Sequence, residues 1–94
     1  MKIKIDIEYN GSKYYGWQKQ SSGTTIQNEI EMALKKITSE KINVIGSGRT
    51  DSGVHATNQV AAFNLNKGIN LQGLIIKLNK ELPSDIRIKS YKLV

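Results

Sequence analysis

The stretch KINVIGSGRTDSGVHATNQVAAFNL, Lys41 to Leu65, decides the fold. It holds two strand patterns in succession with a polar loop between them. Ile42 and Val44 share one face of Lys41 to Ile45. Ala61, Phe63 and Leu65 share one face of Asn58 to Leu65, with Val60 and Ala62 on the other. Between them, Gly48-Arg49-Thr50-Asp51-Ser52-Gly53-Val54-His55-Ala56 has no long apolar side chain except Val54. Such a segment is a loop, and polar groups on a loop fixed by a rigid scaffold are where chemistry concentrates. On an extended backbone Arg49 and Asp51 point to the same side. An arginine beside an aspartate favours the ionised carboxylate.

Each side of this stretch carries a helix pattern. Upstream, Thr24 with Gln27 reads as a capping box, and Ile26, Ile30, Ala33, Leu34 and Ile37 fall on one face. Glu29 and Glu31 come early and Lys35 and Lys36 late, which complements the helix dipole. Downstream, Asn66-Lys67-Gly68 turns the chain and Asn70 caps a second helix with Leu71, Leu74, Ile75, Leu78 and Leu82 at helical spacing. Pro83 stops it. At the chain's ends, Met1 to Tyr9 alternates, with Ile3, Ile5, Ile7 and Tyr9 on the buried face, and Asp85 to Lys92 carries Ile86 and Ile88 inward. The order βαββαβ predicts an α+β domain on the ferredoxin-like split βαβ plan, an antiparallel sheet with two helices on one face.

Composition narrows the function classes. Ninety-four residues make one small domain. Lys and Arg number 14 against 8 Asp and Glu, a net charge of +6 that suits a polyanionic partner such as nucleic acid, or simply solubility. With no cysteine and a single histidine, His55, a disulfide framework and a zinc site are both disfavoured. The N-terminus lacks the continuous apolar core of a signal peptide, and no segment is apolar enough to span a membrane. These features predict a soluble, cytoplasmic protein.

One further segment stands out. Tyr14-Tyr15-Gly16-Trp17-Gln18-Lys19-Gln20 mixes aromatics, amides and a cation without amphipathic period. That mixture suits stacking and hydrogen bonding to bases. The plainer reading is that Trp17 and one tyrosine cover the end of the core.

GRTDSGVHA at Gly48 to Ala56 resembles the catalytic motif of the tRNA pseudouridine synthase A family. YYGWQKQ at Tyr14 to Gln20 and LNKELPSDI at Leu78 to Ile86 look like two further segments of that family, in the family's order. The resemblance covers essentially the whole chain, and covers the N-terminal domain of the family's protein. It implies a second domain of similar fold, a cleft between the two, and no activity from this chain alone.

The implied reaction isomerises uridine to pseudouridine in the anticodon arm of tRNA. The bond from uracil to ribose breaks, and the base turns and rejoins through a carbon, with no metal or organic cofactor. Asp51 is the implied catalytic carboxylate, as nucleophile or as base. Arg49 flips the target nucleotide or holds phosphate, Thr50 orders the loop, and His55 has a structural or RNA-contact role. Tyr15, Trp17 and Gln18 line the RNA path or brace the Asp51 loop, while Lys13 and Lys19 bind phosphates. A homodimer is implied for the full-length protein. Two other readings share the fold: a non-catalytic RNA-binding module and an oligomerisation domain. The first fits poorly, since Phe63 is the one aromatic residue of the third predicted strand.

Overall fold

A computed structural model describes residues 1–18, 23–66 and 68–94. The expectations on Lys19, Gln20, Ser21, Ser22 and Lys67 lie outside the described residues. The elements run β1 (Lys2–Tyr9), α1 (Ile26–Thr38), β2 (Ile45–Gly46), β3 (Ala56–Asn64), α2 (Leu71–Glu81) and β4 (Ile86–Leu93), with a short 3-10 turn at Gly11–Lys13. The sheet order is β2-β3-β1-β4, and the β1–β3, β1–β4 and β2–β3 pairings are all antiparallel. This is the ferredoxin-like split βαβ arrangement.

β1 forms because isoleucine alternates with charge. Ile3, Ile5 and Ile7 are fully buried beneath the helices. α1 contributes Ile26, Ile30, Ala33 and Leu34 to that core, and α2 contributes Leu74, Ile75 and Leu78. Burying each of the isoleucine and leucine side chains is worth about 1.5–3 kcal/mol. Lys2 and Lys4 point from β1 to the other, uncovered face.

The helix starts differ in one respect from expectation. Asn70 caps α2 by accepting from the Gly73 amide at 2.8 Å. At α1 the cap is Thr25, accepting from the Asn28 amide at 3.2 Å, and not Thr24 in a box with Gln27. The reason lies upstream. The Ile26 and Gln27 amides donate to the carbonyls of Gly16 and Trp17, and the Thr24 carbonyl accepts from Tyr15. The aromatic segment therefore supplies the partners that a helix N-terminus lacks.

The second strand is also shorter than expected. Ile42 and Val44 are buried as their spacing implies, but only Ile45–Gly46 pairs with β3. Val44 is held by α1 instead: its amide donates to Glu31 at 2.9 Å and its carbonyl accepts from Gln27 at 2.7 Å. The opposite edge has a matching clamp. Asn79 of α2 accepts from the Ile88 amide at 2.8 Å and donates to the Ile88 carbonyl at 3.0 Å. Helix side chains thus occupy backbone groups of β4 and of the residue just before β2, at the sheet edges where free groups invite pairing with another chain.

β4 carries one more irregularity. Ile88 pairs with Ile7 and Tyr91 with Ile5, so one extra residue sits between them as a bulge. Beyond it the alternation inverts, and Tyr91 and Leu93 take the face shared with Ile5 and Ile3.

Candidate active site: a carboxylate loop clamped on the aromatic segment

Three segments meet at one end of the sheet: the one after β1, the Gly48–Ala56 loop, and the Pro83–Asp85 turn before β4. The loop lies on the segment after β1 through backbone bonds. The Trp17 amide donates to the Thr50 carbonyl at 3.1 Å, and the Gly53 amide to the Tyr14 carbonyl at 3.1 Å. The Gly11 amide donates to His55 Nδ1 at 2.9 Å. The approach is close enough to require glycine. A Cβ on Gly11 would sit 1.9 Å from the Val54 carbonyl oxygen.

Below the loop lies a polar network within the core. Gln59 is 7% exposed and sits on the helix-facing side of β3, opposite Ile7. Its Nε2 donates to the Gly48 carbonyl at 3.0 Å and to the Val60 carbonyl at 3.3 Å. Its Oε1 accepts, at 3.5 Å, from the Tyr9 hydroxyl, which is 2.8 Å from the Thr50 hydroxyl. Burial raises the Tyr9 pKa, with the Thr50 bond acting in the opposite direction. The Tyr9 ring stacks on Trp17 with centroids 6.4 Å apart. Gly48 and Thr50 are therefore both tied from beneath, with Arg49 between them and Asp51 following.

The expected site residues divide by exposure. Asp51 is exposed, and among the described residues nothing hydrogen-bonds or ion-pairs to its carboxylate. Arg49 is exposed as well, but its guanidinium turns to Gln18 Oε1 and not to Asp51. Although Arg49 and Asp51 are two apart in sequence, no bond between them is found among the described residues. Tyr15 is 58% exposed, whereas Trp17 is 2% exposed. At that burial the Trp17 ring presents almost no surface to a ligand, while its amide is bonded to the loop at Thr50. His55 is exposed with Nδ1 occupied by Gly11, which puts the proton of the neutral ring on Nε2.

Clefts open on two sides of the loop. One, of about 310 Å³, is lined by Trp17, Gln18, Gln27, Ile45, Gly46 and Arg49. The other, of about 490 Å³, includes His55, Asp85 and Arg87 in its wall. Tyr14 forms part of the support between them, its hydroxyl donating to Asp85 at 2.5 Å. Burial first, and Asp85 second, push the Tyr14 pKa well above its ordinary value.

The sequence reading missed Gln59 and treated Tyr9 as core alone. The signal was present. Gln59 has the parity of Ala61, Phe63 and Leu65, so it is an amide at a core position.

Asp51 is thus an exposed carboxylate on a loop bonded to the segment after β1, two residues from an arginine that lines one of the clefts. The family described as tRNA pseudouridine synthase matches residues 6–93. The chain belongs to that family. It is 53% identical over 87 residues to a tRNA pseudouridine synthase A of Caldicellulosiruptor bescii, covering 93% of this chain and 36% of the relative. A tRNA pseudouridine synthase A 2 of Clostridium perfringens is 51% identical over 86 residues, 92% of this chain and 35% of its own length. One from Legionella pneumophila is 46% identical over 89 residues, 95% of this chain and 34% of the relative. The chain thus spans about a third of the length of the relatives it matches. Among the described residues of this family member, no helix is long and apolar enough to cross a membrane.

Proposed function

We propose that the protein to which this chain contributes converts uridine to pseudouridine in the anticodon arm of tRNA, with Asp51 as the working carboxylate. The observation that carries the reading is the exposed Asp51 carboxylate, unpaired among the described residues, on a loop whose backbone is bonded to Trp17 and Tyr14 and whose His55 side chain is bonded to Gly11. A side chain available to substrate on an immobile backbone is what positioning catalysis needs. The carboxylate attacks the sugar or abstracts a proton from the nucleoside. The glycosidic bond from uracil breaks, the base turns, and a bond from carbon to the sugar replaces it. No atom is gained or lost.

Arg49 takes the space of the extruded nucleotide or grips its phosphate. Extrusion costs a few kcal/mol, and a guanidinium whose partner among the described residues is Gln18 keeps donors for that work. His55 contacts RNA through Nε2, since Nδ1 is engaged. Tyr15 offers an exposed ring for stacking, and Gln18 holds Arg49. Lys13 and Lys19 bind phosphates without reading sequence.

This chain, on the same reading, is an N-terminal domain. A second domain closes the cleft, the complete enzyme is a cytoplasmic homodimer, and the chain alone is inactive. A single-turnover assay on tRNA tests that point, and robust conversion by the isolated chain overturns it. The catalytic assignment is tested in the complete enzyme with Asp51→Asn and Asp51→Ala. Pseudouridine formation should vanish while tRNA binding and the unfolding temperature stay near native values. Native turnover in either variant refutes the assignment.

A further inference from the structure

We propose that Gln59 is a positioning residue for Asp51 and Arg49, acting through Gly48 and, by way of Tyr9, through Thr50. The inference rests on the catalytic reading of Asp51 and goes beyond it by naming the groups that set the loop's geometry. Gln59 and Thr25 are the buried polar residues among those described. Thr25 caps a helix, which explains it. Gln59 caps nothing.

A buried amide persists where its hydrogen bonds are needed, and here they go to the loop. The contacts form a chain. The Thr50 and Tyr9 hydroxyls lie 2.8 Å apart, the Tyr9 hydroxyl lies 3.5 Å from Gln59 Oε1, and Gln59 Nε2 donates to the Gly48 carbonyl at 3.0 Å. The circuit leaves β3 at Gln59 and closes on the two residues that flank Arg49. Rotation of the Gly48–Thr50 backbone would swing Arg49 and carry Asp51 with it, and the circuit opposes that rotation at both ends. Gln59 touches no substrate in this scheme.

The test is made in the complete enzyme with Gln59→Leu, Gln59→Glu, Tyr9→Phe and Asp51→Asn. Gln59→Leu should lower kcat by about 10- to 100-fold with KM for tRNA changed less than about three-fold, because misplacement of a reacting group affects turnover. Gln59→Glu supplies a readout that a filler of space would not move. Burial raises the pKa of the new carboxyl, which can donate to the Gly48 carbonyl only when protonated. Its kcat relative to the native enzyme should therefore rise as pH falls from about 8.5 to about 6, while that of Gln59→Leu stays flat.

Tyr9→Phe keeps the ring on Trp17 and removes only the hydroxyl, so it serves if Gln59→Leu does not fold, and it should also lower kcat. Native kcat in Gln59→Leu or Tyr9→Phe, a loss confined to KM, or a flat ratio for Gln59→Glu overturns the inference. Asp51→Asn separates the two readings. If it abolishes turnover while Gln59→Leu is native, only the positioning role fails. If Asp51→Asn turns over normally, the catalytic reading fails and this inference with it.

Discussion

Gly16 lies so close beneath Thr50 that a Cβ on it would come within 2.5 Å of the Thr50 carbonyl oxygen. Its φ of +87° is also one that side chains disfavour. The same residue accepts from the Ile26 amide at the start of α1. Helix, aromatic segment and loop therefore meet at one position. Gly16→Ala should destabilise the domain by about 2 kcal/mol or more, from left-handed strain plus the contact. Thermal unfolding measures that loss. In the complete enzyme turnover should fall further than the lost stability explains, because the displaced atom is the residue before Asp51. An alanine variant with native turnover would show that the loop is not seated on this segment.

Arg49 has two proposed uses, and a pair of variants separates them. Arg49→Lys keeps a charge for phosphate but loses the planar fork. It should leave the salt dependence of tRNA binding unchanged and still lower turnover. Arg49→Ala should lower turnover and also reduce the slope of log affinity against log salt by about one. Filter binding across a salt series, run beside the activity assay, checks this. Equal turnover in Arg49→Lys and the native enzyme would leave phosphate contact as its sole role.

Much of this architecture was legible in residue spacing. Ile3, Ile5, Ile7 and the helix stripes declare their buried faces, and Asn70 and Pro83 mark the ends of α2. What escaped were places where a distant group supplies what local reasoning assigns to a neighbour. Thr24 could not cap α1 once its carbonyl was engaged by Tyr15. Val44 could not join the β2 ladder once Gln27 and Glu31 held its backbone. Asp51 and its exposed loop were visible because chemistry concentrates in a short polar motif. Gln59 was not, because its partners Gly48 and Tyr9 lie at other positions in the chain. Arg49 lies two residues from Asp51 in sequence, whereas the fold brings Gln18, 31 residues away, to its guanidinium.

The clamp at Ile88 gives a stability prediction remote from the loop. Asn79 serves both backbone groups of one edge residue, as a neighbouring strand would. Asn79→Ala leaves a donor and an acceptor unpartnered at a half-buried edge, and should cost about 1–3 kcal/mol. Asn79→Asp retains the acceptor for the Ile88 amide and loses only the donor, so it should cost less. Chemical denaturation ranks the two. Sedimentation of Asn79→Ala at high concentration should show increased self-association, since the freed groups of β4 form a template for another strand. A monomer as stable as the native chain would mean that water serves Ile88 equally well.

Tyr14 predicts how the domain responds to alkali. Burial and the bond to Asp85 favour its neutral phenol in the folded state. In the unfolded chain a tyrosine ionises near pH 10. Above that pH the unfolded state has released a proton that the folded state keeps, so the unfolded state binds fewer protons and stability falls as pH rises. Below the unfolded pKa the contribution is fully present. Tyr9, whose pKa burial also raises, adds to the slope in the same direction. Tyr14→Phe should therefore lower stability by about 1–2 kcal/mol at neutral pH through loss of the bond to a carboxylate. The same variant should flatten the decline above about pH 10. Urea unfolding of both proteins at neutral and alkaline pH checks the pair of effects. A native alkaline slope in Tyr14→Phe would place the ionising group elsewhere and leave the Tyr14–Asp85 bond without the energetic role assigned to it.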